Sequence, residues 1–137
     1  MLENVWKAKL VRLFKKKRPL DFIWPTEVRL KSGYPDLYIL KQGTPIHCEL
    51  KVVRYNGPHL KFDPYQYKKY FEPIQIEILK RLSQAGAYAY GVLKLEAHNQ
   101  AGVMVVRVID GRSRFYSEDE FIELLTSSRC DFVLPEG

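Results

Sequence analysis

Two stretches of alternating residues, "DLYILK" and "PIHCELKVV", flank the dipeptide Gln42-Gly43, and this arrangement restricts the fold more than any other feature of the chain. Both are rich in Ile, Val, Leu and Tyr, as strands are, and Gln42-Gly43 is the only good turn signal between them. The pair is therefore predicted to be an antiparallel hairpin in which opposed residues have numbers summing to 85. That register sets Asp36 opposite Glu49 and Tyr38 opposite His47. Side chains alternate along a strand, so Asp36, Tyr38, His47, Glu49 and Lys51 share one face while Leu37, Ile39, Ile46, Cys48 and Leu50 share the other.

The apolar face belongs to the core. The polar face holds two carboxylates about 4.5 to 5.5 Å apart at Cβ, a pairing that destabilises a hairpin unless something positive lies between them. A bound cation resolves the conflict. Oxygen ligands of this kind suit Mg²⁺, which takes one or two carboxylates, keeps several waters and completes its shell with phosphate oxygens. Lys51, two residues beyond Glu49 on the same face, can orient water and offset charge developing on phosphorus. Together these groups point to hydrolysis of a phosphodiester. A solvated surface hairpin, with Asp36 closing the "GYPD" turn, accounts for the same residues without chemistry.

At 137 residues and 46% hydrophobic, the chain suits one domain, residues 1–137, with its own core. Leu2, Val5, Trp6, Leu10, Leu13 and Phe14 recur at helical spacing and predict an amphipathic helix over residues 2–16, closed by "KKKRP". "TEVRLK" is a short strand candidate ahead of the hairpin. Residues 54–73 lose all periodicity in an aromatic and basic insertion, too long for an idle loop. Pro73 then opens a helix whose stripe of Ile74, Ile78, Leu79 and Leu82 runs to Gly86. "AYAYGVLKL" and "VMVVRVI" read as strands joined by a hairpin connection, and Ser117 with Glu120 forms a capping box before a last helix. The expected class is α/β, a central mixed sheet flanked by helices in the order αβββαββα.

The net charge of +6 is concentrated at one end: residues 1–54 hold 12 Lys/Arg against 5 Asp/Glu, and residues 55–137 hold 10 against 11. Such an excess suits a polyanion such as nucleic acid, and a solvated basic face explains it equally well. Cys48 and Cys130 form no metal or disulfide pattern, and His47, His59 and His98 lack zinc-ligand spacing. With no long apolar run and no signal-peptide pattern, the expected location is the cytoplasm, with no membrane partner.

"GYPD" leading one strand and "ELK" on the next resemble the PD-(D/E)xK nuclease superfamily, and more narrowly a stand-alone virus-type replication-repair nuclease (VRR-NUC) domain of a phage or bacterium. The likeness covers residues 3 to about 125: Glu3, then Gly33, Pro35 and Asp36, then Glu49 and Lys51, then Gln75 with "QAGAYAYGV". The resemblance implies a restriction-endonuclease-like core and Mg²⁺ or Mn²⁺ held by Asp36, Glu49 and the carbonyl of Leu50. It implies catalytic roles for Asp36, Glu49 and Lys51, with Gln75 positioning Lys51 or the scissile phosphate, and Glu3 joining through water. Glu3 also suits a helix dipole, and Gln66 competes with Gln75. The insertion departs from the short connection the family pattern leads one to expect.

The implied activity is a metal-dependent DNA endonuclease, structure-selective for Holliday junctions or other branched DNA and acting as a homodimer in repair or recombination. The alternatives are a nicking or restriction-like nuclease, an exonuclease, and a non-catalytic nucleic-acid-binding protein. Lys15, Lys16, Lys17, Arg18, Lys31, Arg54, Tyr55, Lys61, Lys68 and Lys69 are the candidate nucleic-acid contacts. The insertion's aromatics equally suit packing beneath it or a contact between two copies.

Overall fold

The computed structural model describes residues 2–26 and 33–134. Helix α1, Glu3–Lys17, buries Trp6, Leu10 and Phe14 on one stripe, with Glu3 in its first turn and Lys15, Lys16 and Lys17 in its last, as the helix dipole favours. Strand β1, Phe22–Pro25, follows and pairs antiparallel with β2, Leu37–Lys41. The strand expected over "TEVRLK" lies almost wholly outside the described residues. β1 itself is four residues long, sits at the sheet edge and ends on a proline, which an edge strand tolerates.

β2 pairs with β3, Thr44–Arg54, in the expected register, Tyr38 opposite His47 and Ile39 opposite Ile46. Gln42 and Gly43 take φ of 48° and 83°, so both central residues of the turn are left-handed, the twist a tight hairpin requires. A hydrogen bond from the Gln42 N–H to Asp21 holds it there. On the apolar face beside Leu37 and Ile39, Lys41 is buried too. Its ammonium donates to the carbonyls of Leu124 and Arg129, and burial lowers its pKa to about 8.

From β3 the chain crosses through the one-turn helix α2, Tyr67–Tyr70, and α3, Pro73–Gln84, into β4, Tyr88–Glu96, which runs parallel to β3. β5, Ala101–Arg107, and β6, Arg112–Tyr116, extend the sheet antiparallel, and α4, Glu118–Thr126, closes the fold behind its Ser117–Glu120 capping box. The result is a six-stranded mixed sheet in chain order with helices on its faces. Compared with the expected order, it adds β6 and α2. β6, "RSRFY", is polar, and only Tyr116 in it is buried, so it carries no apolar alternation.

Two cores lie on opposite faces. One packs α1 and α4 onto Ile46, Cys48, Leu50 and Val92. The other sets Tyr67, Phe71 and Leu79 on Ala89, Leu93, Met104 and Val106, so the insertion takes the place of a second helix over β4 and β5. Backbone bonds from Tyr55 to Glu96, from His98 to Gly57 and from Asn99 to Pro58 fasten it to the β4–β5 connection. Among the described residues, no helix is long and apolar enough to cross a membrane.

Candidate active site

β3 outlasts its neighbour. Pairing with β2 stops at Leu37 opposite Cys48, one pair short of the expected Asp36–Glu49 pair, whereas pairing with β4 continues to Arg54, so among the described residues no strand lies beside one edge of β3 from Glu49 onward. Backbone N–H groups on one edge recur every second residue, and acidic side chains meet two of them. The Asp36 Oδ2 accepts the Leu50 N–H at 2.9 Å, and the Glu3 Oε1 accepts the Val52 N–H at 3.3 Å. In extended backbone a residue's carbonyl shares the edge of its N–H, so the Leu50 carbonyl faces the same side as Asp36.

Glu49 points to the opposite side of its strand from Leu50 and is only 5% exposed. Its Oε1 accepts a hydrogen bond from the Gln75 Nε2 at 3.1 Å. The Gln75 Oε1 accepts the Glu72 N–H at 2.8 Å, in the capping box that starts α3, so the amide is oriented from both ends. The Glu49 Oε2 is buried with no partner. Burial, then the neighbouring Asp36 and Glu3, push this carboxyl up to about 10 against the weaker pull of Lys51. Without a cation Glu49 therefore holds a proton at neutral pH and shares it with Asp36, and a cation between the two carboxylates would take that proton's place.

The surrounding charges alternate. The Lys51 Nζ lies 3.5 Å from the Glu3 Oε1, and the Lys7 Nζ 4.0 Å from the Asp36 Oδ1. Lys7 is the residue that the sequence reading missed. Its signal is present, since it lies four residues beyond Glu3 and so on the same face of α1. Gly33, at φ +91°, packs so closely on α3 that an added Cβ would stand 2.9 Å from Ile74. This contact ties the segment carrying Asp36 to the helix carrying Gln75. An open cleft of about 470 Å³, lined by Glu3, Val52 and Arg54, lies where α1 meets the free edge of β3.

Asp36, Glu49, Lys51, Gln75, Glu3 and the Leu50 backbone thus converge. Gln66 instead is buried within the insertion, accepting a hydrogen bond from the Tyr55 hydroxyl. The structure connects Gln75 to Glu49 rather than to Lys51. Lys15, Lys16, Lys17, Arg54, Lys61, Lys68 and Lys69 are exposed, whereas Arg18 is bound to Asp21 at 2.6 Å and Lys31 lies outside the described residues. Tyr55, Tyr67, Tyr70 and Phe71 pack into the second core, leaving Phe62 and Tyr65 exposed.

A row of rings also escaped the sequence reading. Phe22 stacks on Trp24 at 5.2 Å, Trp24 meets Tyr38 at 5.5 Å, and Tyr38 meets His47 at 5.0 Å. Phe22 and Trp24 are about half exposed, and burial keeps His47 below its usual pKa. The row ends two residues from Glu49 on the same sheet face.

Among the described residues, no three His, Cys, Asp or Glu side chains are grouped as a three-ligand metal site. Two carboxylates and a carbonyl are the kind of partial set that Mg²⁺ completes with water and phosphate oxygens. Comparison with known protein families and with curated protein sequences finds no match to this chain.

Proposed function

We propose that this chain is a divalent-metal-dependent DNA endonuclease of the PD-(D/E)xK kind, selective for branched DNA such as four-way junctions. The observation that carries the proposal is the buried Oε2 of Glu49, which no protein donor meets and which faces a second carboxylate, Asp36, at a place where Lys51 stands on the same strand. Asp36, Glu49 and the Leu50 carbonyl would hold Mg²⁺ or Mn²⁺. Such an ion, when bound, neutralises phosphate charge and makes water more acidic. Gln75 fixes Glu49 in place through a hydrogen bond that does not depend on the ion. Lys51, partly exposed and paired with Glu3, can turn its ammonium to a phosphate oxygen and offset the charge that grows there as water attacks phosphorus. Lys7 limits the negative charge at Asp36.

The branched-DNA preference is supported by the half-exposed Phe22 and Trp24 at the outer end of the ring row that leads to Glu49, since flat aromatic faces stack on unpaired bases whatever their identity. Matched cuts in two strands of a junction require two such sites, so the active form is a homodimer.

A cleavage panel of single-stranded, duplex, flap and four-way DNA with Mg²⁺, Mn²⁺ and Ca²⁺ tests the function. The expected result is junction cleavage with Mg²⁺ or Mn²⁺ that Lys51→Ala and Asp36→Ala abolish while binding in Ca²⁺ persists. Cleavage from ends only would make it an exonuclease. Salt-dependent binding without cleavage of any substrate would leave a non-catalytic nucleic-acid-binding protein.

A further inference from the structure

The basic residues of α1 fall into two different surroundings. Lys16 and Lys17 line a hollow of about 330 Å³ against α4 together with Asp119 and Glu123, so a phosphate approaching there also meets two carboxylates. Lys7, Arg12 and Lys15 line a separate groove of about 630 Å³ between α1 and Pro25. Among the described residues, no Asp or Glu lines that groove. Val11 and Pro25 supply apolar wall, and Lys7 at one end lies 4.0 Å from Asp36. The groove is therefore continuous with the candidate active site and opposite in charge to a phosphodiester chain.

We propose that this groove holds the backbone of the DNA strand entering the Asp36 and Glu49 site, with Lys7, Arg12 and Lys15 each facing a phosphate and Lys16 and Lys17 taking no part. The assignment rests on the nuclease function proposed above and names the surface that delivers its substrate. Lys7 and Lys15 are eight residues apart, about 12 Å along a helix. At about 3.4 Å per nucleotide along a duplex axis, that span matches some three to four nucleotides, which agrees with three cations in a row. The apolar wall suits the sugars between phosphates. Lys7 becomes the phosphate contact nearest the bond to be cut.

Two charge-matched double variants test this without catalysis. Binding of labelled duplex and single-stranded oligonucleotides is followed by fluorescence anisotropy in EDTA across a salt series. Each lost phosphate contact lowers the slope of log K against log salt by about 0.9 on duplex and about 0.7 on single strands. Arg12→Ala/Lys15→Ala is expected to lower the duplex slope by nearly 2, Lys7→Ala by about 1, and Lys16→Ala/Lys17→Ala by well under 1. Arg12, Lys15, Lys16 and Lys17 are exposed, and urea unfolding verifies that each double variant is folded. Equal slope losses in the two doubles would overturn the assignment, because net charge alone would then govern binding. Salt-dependent wild-type binding that neither double changes would also overturn it while leaving the nuclease function standing. No wild-type affinity for DNA at any salt would remove both.

Discussion

Replacing Glu49 with Gln tests the electrostatics of the site directly. In the metal-free protein this carboxyl is 5% exposed, faces Asp36 and has its pKa pushed up to about 10, whereas its ordinary value is 4.5. A group whose folded-state pKa is raised keeps a proton that the unfolded chain releases. The contribution of this one group to stability is then greatest below about pH 4.5 and declines as pH rises toward 10. One such group sets a slope of about 1.4 kcal/mol per pH unit, so the ceiling between pH 5 and pH 8 is about 4 kcal/mol. Relaxation and water entry reduce this, and a loss of about 2 kcal/mol is the working expectation. Glu49→Gln keeps an oxygen for the Gln75 amide and presents a permanent N–H₂ toward Asp36 where the wild type must hold a proton to do the same. Its advantage over wild type should be small at pH 5 and grow steadily to pH 8. Urea unfolding of both proteins in EDTA at pH 5, 6.5 and 8 gives that difference, in which the titrations of His47 and Lys41 cancel because both proteins contain them. Millimolar Mg²⁺ should stabilise only the wild type and narrow the gap, by mass action on the folded state. Parallel stability curves in EDTA, or a gap that closes with rising pH, would refute this account of Glu49.

Gln75→Ala removes the amide that fixes Glu49 and should lower the Mg²⁺-dependent cleavage rate by about 10- to 100-fold, as loss of a supporting partner typically does; single-turnover rates across a Mg²⁺ titration measure it. Gly33→Ala combines an unfavourable left-handed backbone with a Cβ 2.9 Å from Ile74, and thermal unfolding should report a loss of about 2 kcal/mol or more. Trp24→Ala removes one of the two half-exposed rings of the row, the one that contacts Tyr38. Affinity for branched DNA in Ca²⁺ should fall by about 1 to 3 kcal/mol while affinity for unbranched duplex holds, and competition binding separates the two.

The hairpin was legible because two independent signals agree on it. Alternation assigns the faces, and Gln42-Gly43 fixes the register, so Asp36, Glu49 and Lys51 fall together once the turn is located. β1 and β6 were not legible, since both are short edge strands whose pairing is decided by neighbours rather than by their own pattern. The insertion carried aromatics but no period. Which of its rings are buried depends on the sheet face left uncovered by α3, a fact of the assembled fold. Gln75 and Gln66 differ for a similar reason: only the helix start at Pro73 aims one of them at Glu49.

The opposed carboxylates, expected as strand partners, are accommodated in two different ways. Asp36 lies just before β2 and turns its carboxylate onto the Leu50 N–H, with Lys7 near its other oxygen, so its charge is met by the protein itself. Glu49 receives one hydrogen bond and is left to hold a proton. Among the described residues, the buried side-chain polar atoms without a partner are the Trp6 Nε1, the Ser83 Oγ and the Glu49 Oε2, and only the last belongs to a carboxylate. A fold that gives nearly every other buried side-chain polar atom a partner, yet leaves that oxygen facing only a second carboxylate, has its stability deficit and its capacity for a ligand at the same point. Relieving one should therefore abolish the other. This is why Glu49→Gln is expected to give a more stable protein that no longer responds to Mg²⁺.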